Sequence, residues 1–202
     1  MSQKLEQEVK FQIVDLDNLR KKLEELGGEL KQSRTFERNL RFDTADGRLS
    51  ASFQVLRLRH DTRSRLTYKG PSDLSSEVNS RRELEFEVSN FDTAREFLEV
   101  LGYQISIIYE KYRGAYMLGD VEISLDEMPF GTFIEIEGPD TQSIRDIARK
   151  LGLDWDQRIV LGYMTIFQIL KERLRLDFRD LTFENFKDVQ VTPSDLVFSP
   201  PD

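Results

Sequence analysis

Charged residues recur at every second position in several short stretches. The acidic ones are Glu6 and Glu8, Glu83 and Glu85, and Glu135 and Glu137. The basic ones are Arg57 and Arg59, then Lys111 and Arg113, with Lys10 two places after Glu8 and Lys69 two after Thr67. In a β-strand, residues two apart point to one face, so each stretch sets its charges side by side. Clustered carboxylates suit hard cations such as Mg²⁺ or Mn²⁺. Arginines and lysines on a shared face suit phosphate oxygens, the arginines as bidentate forks and the lysines as point charges. The chain has no cysteine and one histidine, His60. That excludes disulfides, thiolate zinc, cysteine nucleophiles and multi-histidine metal centres, and it fits a reducing cytoplasm.

The elements that must position these residues follow from periodicity. Three segments share one plan: an alternating strand with Glu-x-Glu, an amphipathic helix, then Leu-Gly. Helices are predicted over 15–26, 92–101 and 140–151, where Leu19 and Leu23, Phe97 and Leu98, and Ile144, Ile147 and Ala148 keep helical spacing. Each begins near a capping residue and ends before a glycine suited to a left-handed C-cap. Further strands are expected over 34–42, 53–60, 65–69, 105–112, 116–118 and 121–125, and a fourth helix over 159–174. The tail from Leu176, with Pro193, Pro200 and Pro201, has no clear period. The expected division is one domain over 1–175 and a peripheral C-terminal extension over 176–202, partly ordered by Phe178, Phe183 and Phe186.

The opposite faces of the charged strands carry Val9, Phe11, Leu58, Leu66, Leu84, Phe86, Ile123, Leu125, Ile134 and Ile136. Helices need those apolar faces, so the charged faces must point together. The expectation is an α+β fold: a closed antiparallel β-barrel of about eight strands with helices packed outside and a charged lumen. Closure removes the sheet edges and encloses the charges. Carboxylates in such a lumen call for metal cations and the basic residues for a polyanion, and a metal-chelated triphosphate supplies both. Glu87 and Glu122, nearer strand ends, are read as solvated.

At 202 residues the chain is long enough for one domain with a substantial core. The net charge of −8 argues against nucleic acid as the partner. No apolar run is long enough for a membrane helix, and the N-terminus does not resemble a secretory signal.

Glu6-x-Glu8-x-Lys10 resembles the signature of the CYTH superfamily, the triphosphate tunnel metalloenzymes, which joins class IV adenylyl cyclases and thiamine triphosphatases. Phe42-Asp43-Thr44 with Gly47-Arg48-Leu49, Arg57-Leu58-Arg59, Thr67-Tyr68-Lys69-Gly70-Pro71, Arg82 to Val88, Lys111-Tyr112-Arg113, Ser124-Leu125-Asp126-Glu127 and Phe133 to Glu137 follow in the family's order. The resemblance runs from about Lys4 to Leu170 and looks closest to the class IV cyclase branch. It departs in two places. Relatives often have Tyr where this chain has Arg41, and a basic residue in the last helix where it reads Leu161-Gly162. A missing phosphate ligand there would be replaced by Arg158 or Arg41.

Together, the resemblance and the residues assign Lys10, Arg57, Arg59, Lys69, Lys111 and Arg113 to phosphate binding. Glu6, Glu8, Asp126, Glu135 and Glu137 would hold Mg²⁺ or Mn²⁺. Lys10, Lys69, Glu83 and Glu85 are the catalytic candidates. Hydrolysis of tripolyphosphate, a nucleoside triphosphate or thiamine triphosphate is the favoured activity. Alternatives are cyclisation of ATP to cyclic AMP and pyrophosphate, and a non-catalytic polyphosphate-binding module. A cytoplasmic homodimer acting on a small molecule, without nucleic acid or membrane, is the expected setting. Neutralising Asp126, Glu135 or Glu137 is expected to leave metal-free stability unchanged or raised, by removing repulsion between carboxylates.

Overall fold

The computed structural model describes residues 5–71 and 77–196; of Leu5, Glu6, Ser80 and Pro193 it describes the backbone alone. Eight antiparallel strands form the sheet: β1 (Leu5–Ile13), β2 (Glu29–Thr44), β3 (Val55–His60), β4 (Ser64–Lys69), β5 (Asn79–Val88), β6 (Tyr103–Leu118), β7 (Val121–Met128) and β8 (Gly131–Gly138). Their spatial order is β1-β5-β4-β3-β2-β6-β7-β8, and β8 pairs back onto β1 with Lys10 opposite Glu135, so the ladder runs round a complete circuit. The helices are α1 (Leu16–Glu25), α2 (Arg48–Ala51), α3 (Phe91–Val100), α4 (Thr141–Leu151), α5 (Tyr163–Leu174) and α6 (Phe183–Phe186). The α+β class and the eight antiparallel strands agree with the sequence reading. No helix among the described residues is long and apolar enough to cross a membrane.

The long helices start and stop for local reasons. Asp15, Asn90 and Asp140 each accept a hydrogen bond from the backbone N–H three residues on, at the starts of α1, α3 and α4. α4 ends at Gly152, whose φ of 75° is a left-handed cap that a side chain would strain. Gly27 and Gly102 take the same region after α1 and α3.

Three apolar clusters hold the barrel. One sits outside β1, β7 and β8, where Val9, Phe11, Ile123, Leu125, Ile134 and Ile136 meet Leu19 and Leu23 of α1 and Ile144, Ile147, Ala148 and Leu151 of α4. A second joins Leu40, Phe42 and Leu58 to Leu98 of α3. The third lies partly inside. Phe133 shares the inward face of β8 with Glu135, and Tyr109 shares that of β6 with Lys111. Both belong to a cluster with Tyr163, Ile166, Phe167 and Leu170 of α5. α5 thus lies across one end of the lumen.

Four expectations need adjustment. β6 is one strand where two were read, 105–112 and 116–118. Gly114 stays extended because β2 and β7 flank it, with irregular register in β2 between Gln32 and Thr35 absorbing the change. The fourth helix begins at Tyr163 rather than 159, because Ile159 exchanges both backbone hydrogen bonds with Lys10 of β1. The tail, read as a peripheral extension partly ordered by Phe178, Phe183 and Phe186, does place Phe186 in the third cluster with Phe178 against it, but Leu181 and Leu196 join them, and Leu181 exchanges backbone hydrogen bonds with Ile108 and Glu110. Leu84 and Phe86, expected beneath a helix, are 49% and 59% exposed: α3 packs on β3 and β6, so nothing among the described residues covers this face of β5.

Candidate active site

The period of two places the charged residues on the inside. Arg57, Arg59 and Lys69 are buried, and so are Glu8, Lys10, Glu37, Asn39, Lys111, Asp126 and Glu135. Their backbones hold these positions rigidly because each strand is bonded on both sides. Glu87 and Glu122 are exposed, as expected.

At the end covered by α5 the charges neutralise one another. Lys10 Nζ lies 2.8 Å from Glu8 Oε1 and 3.1 Å from Glu135 Oε2. Arg113 donates two hydrogen bonds to Asp126, at 2.6 and 2.5 Å, and a third to Glu135 at 2.8 Å. Lys111 Nζ adds a 3.0 Å bond to Asp126, and the Tyr163 hydroxyl donates to the same carboxylate at 2.7 Å. Glu37, fully buried, sits between Arg59 at 3.4 Å and Lys111 at 3.7 Å.

These surroundings move the titrations. Burial disfavours the Lys10 ammonium, but Glu135 and Glu8 outweigh it and hold the pKa above the usual lysine value. Burial likewise opposes ionisation of Glu135, yet Lys10 and Arg113 keep it well below the ordinary carboxylate range. For Glu37 the same contest, won by Lys111 and Arg59, lowers the pKa to about 2. Burial and the adjacent Arg113 lower Lys111. Burial and the Asp126 charge raise the Tyr163 phenol well above its usual value.

Around β3, β4 and β5 the balance tips toward cations. Arg57 donates to the Tyr109 hydroxyl at 3.2 Å and to Thr67 at 3.1 Å, with Glu85 3.6 Å away. Thr67 in turn donates to Glu85 at 2.7 Å. Lys69 pairs with Glu83 at 2.7 Å. Burial would raise the Tyr109 phenol, but Arg57, Arg59 and Lys111 lower it to about 8.

The predicted phosphate ligands Lys10, Arg57, Arg59, Lys69, Lys111 and Arg113 thus share one enclosure. Of the predicted metal ligands, Asp126 and Glu135 share Arg113 and lie together, and Glu8 and Glu135 share Lys10. Glu137 stands opposite Glu8 across the β1–β8 ladder. The backbone of Glu6 faces that of Arg81, and its side chain lies outside the described residues. Among the described residues no three carboxylate or imidazole groups surround one point as they would a metal ion. Lysine and arginine stand among the carboxylates instead. The donor set, all ionised oxygen, still suits a hard divalent cation.

This pairing argues against one expectation, that neutralising these acids leaves metal-free stability unchanged or raised. Asp126 and Glu135 lie among Lys10, Lys111 and Arg113 and neutralise them, so removing either negative charge leaves these buried cations with fewer carboxylates. Sequence reading also missed Glu37, Asn39, Tyr109 and Tyr163. Glu37-x-Asn39-x-Arg41-x-Asp43 repeats the alternation seen elsewhere and was available as a signal. Tyr163 had a signal in the resemblance, as the Tyr that follows the departing Leu161-Gly162, but only the packing of α5 brings it to Asp126. Arg158 donates to the carbonyls of Glu77 and Trp155 and stacks on the Trp155 ring, so it is committed elsewhere.

The CYTH domain family matches the chain over residues 4–160. A candidate adenylate cyclase of Methanocaldococcus jannaschii is 28% identical over 148 residues, covering 72% of this chain and 81% of its own. Adenylate cyclase CyaB of Aeromonas hydrophila is 27% identical over 177 residues, covering 81% and 88%. A solved structure from Hippeastrum, HpAC1, described by its dominant triphosphatase activity, superimposes with a TM-score of 0.58 at 19% identity. It covers 81% of this chain and 95% of that one, which shows a shared fold.

Proposed function

Because this chain belongs to the CYTH family, we propose that its lumen binds a triphosphate together with a divalent cation and hydrolyses it. The observation that carries the reading is the enclosed set of lysines and arginines facing carboxylates across the lumen. Family members generally depend on a divalent metal and act on triphosphates such as ATP.

Arg57, Arg59 and Lys69 take phosphate oxygens from one wall. Lys10, Lys111 and Arg113 take them from the other, exchanging carboxylate partners for phosphate. That exchange leaves Glu8, Asp126 and Glu135, with Glu6 and Glu137, as the groups that would hold Mg²⁺ or Mn²⁺. The ion would neutralise charge developing on the transferred phosphoryl group. Glu85 and Glu83 would act as acceptors that orient the attacking water. Lys69, beside Glu83, and Lys10 stabilise the leaving phosphate. Where these side chains are buried, as Lys10, Lys69 and Lys111 are, their interactions with phosphate would be stronger than in solution. We place this chemistry in the cytoplasm.

Cyclisation of ATP is the second reading, supported by the names of the two curated relatives. Phosphorus NMR after incubation with ATP or tripolyphosphate and Mg²⁺ or Mn²⁺ separates the two. Orthophosphate is expected; cyclic AMP with pyrophosphate would transfer the proposal to the second reading. Binding without turnover would leave a non-catalytic module.

A further inference from the structure

Arg41 is buried in part and inward-facing, on the same face of β2 as Glu37, Asn39 and Asp43. Across the β2–β3 ladder it stands directly opposite Arg57. Like charges in that relation destabilise a sheet unless something of opposite sign lies between them. The other basic residues assigned to phosphate each have a carboxylate: Lys10 has Glu8, Arg57 has Glu85, Arg59 has Glu37, Lys69 has Glu83, and Lys111 and Arg113 have Asp126. Arg41's guanidinium makes no hydrogen bond or ion pair with any described residue. The nearest acid along its strand, Asp43, is occupied: it accepts bonds from the backbones of Thr44, Leu49 and Ser50 and from the Ser50 hydroxyl. Burial, with the positive charges of Arg57 and Arg81, lowers the Arg41 pKa from its usual value.

Two further donors nearby have no acceptor among the described residues. Both are buried: Arg57 Nε and Asn39 Nδ2. The Asn39 amide is fixed in that orientation because its oxygen accepts from Arg59 Nε at 3.0 Å. Glu37 Oε2, two residues before Asn39, likewise accepts no hydrogen bond, though Lys111 Nζ stands 3.7 Å from it.

Resting on the reading of the lumen as a triphosphate site, we propose that Arg41 is a specificity-determining residue. With Arg57 it clamps an unesterified, dianionic phosphate at the end of the triphosphate chain. The clamped end is the one opposite the γ-phosphate position, where a nucleoside triphosphate would present its esterified, monoanionic α-phosphate and tripolyphosphate presents a second dianionic terminus, so the clamp favours the inorganic chain.

Isothermal titration of the full chain with tripolyphosphate and with ATP, both with Mg²⁺, tests this in wild type, Arg41→Ala, Arg41→Lys and Arg57→Ala. Arg41→Ala is expected to weaken tripolyphosphate about 10- to 100-fold, the loss of one charge-assisted clamp. ATP is expected to lose less, so the preference between the two narrows. Arg41→Lys should recover part of the loss. The ligand-free melting temperature of Arg41→Ala is expected to hold or rise, since a repelling charge is gone, which separates lost binding from lost folding. Unchanged tripolyphosphate affinity in Arg41→Ala, with a clear loss in Arg57→Ala, overturns this inference alone. Equal losses for both ligands also overturn it. Failure of the wild type to bind either ligand overturns the triphosphate reading with it.

Discussion

Asp126 shows how single side chains in this lumen depend on one another. It is fully buried and takes hydrogen bonds from Arg113, Lys111 and Tyr163. Asp126→Asn keeps the shape but leaves Arg113 with Glu135 and Lys111 with Glu37 as their remaining carboxylates, so ligand-free stability is expected to fall, by less than the roughly 3–5 kcal/mol of a fully stranded buried charge. Chemical denaturation measures this, and equal or greater stability would show that the pairing carries no weight. Tyr109 offers a pH signature. Its folded pKa is lowered to about 8 from the usual 10.0. A depressed acid contributes stability that is fully present above the unfolded pKa and lost as pH falls through the folded one. Stability from Tyr109 should therefore grow from about pH 8 to about pH 10 and be absent at neutrality. Ultraviolet difference absorbance should show one phenolate forming near pH 8, absent in Tyr109→Phe, and moved upward by tripolyphosphate, whose charge opposes ionisation. A single transition near 10 for every tyrosine would remove Tyr109 from the cationic wall.

Among the elements, α5 and the segment after it decide how the barrel ends. α5 enters with Tyr163 against Phe133, ring centroids 5.5 Å apart, and one turn further on Phe167 stacks with Phe178 at 6.0 Å. Ile166 is fully buried in the same cluster. Leu181 is also fully buried there, and its backbone bonds to Ile108 and Glu110 fasten the tail to β6. Leu181→Ala is expected to cost about 2–5 kcal/mol, the transfer and cavity terms for a buried leucine. Thermal and denaturant unfolding would read the loss. A change within experimental error would return the segment to the periphery. A control on α1, Arg20→Ala, should alter neither stability nor binding appreciably, because among the described residues that side chain pairs only with Asp17, on the surface.

Taken across the barrel, the lumen of the ligand-free protein is a network of internal ion pairs, so ligand and metal must compete with bonds already made. Tripolyphosphate with Mg²⁺ is expected to raise the melting temperature, with about 2.7 kcal/mol of added stability at a ligand concentration 100 times Kd. Removing the metal with EDTA should abolish turnover, since carboxylates freed from lysine and arginine would face the polyphosphate uncompensated. Full turnover in excess EDTA, or an unchanged melting temperature at saturating ligand, would count against a preformed metal-triphosphate site.

Alternation of charge along each strand is a local property, and it was enough to identify the inward faces of β1, β3, β7 and β8. The helices α1, α3 and α4 were equally plain, because their caps, apolar spacing and terminal glycines all lie within a few residues. What tertiary structure decided is who meets whom. The sequence places Asp126 and Glu135 on neighbouring strands but does not say that Arg113 lies between them, since partners across a ladder depend on register. It held no sign that Tyr163 reaches Asp126 or that Leu181 seals against β6, because those contacts join segments far apart in the chain. Arg41 is the clearest case. Its departure from the family pattern is visible in the sequence, but its lack of a carboxylate partner exists only once β2 and β3 are paired and Asp43 is spent on the turn that follows.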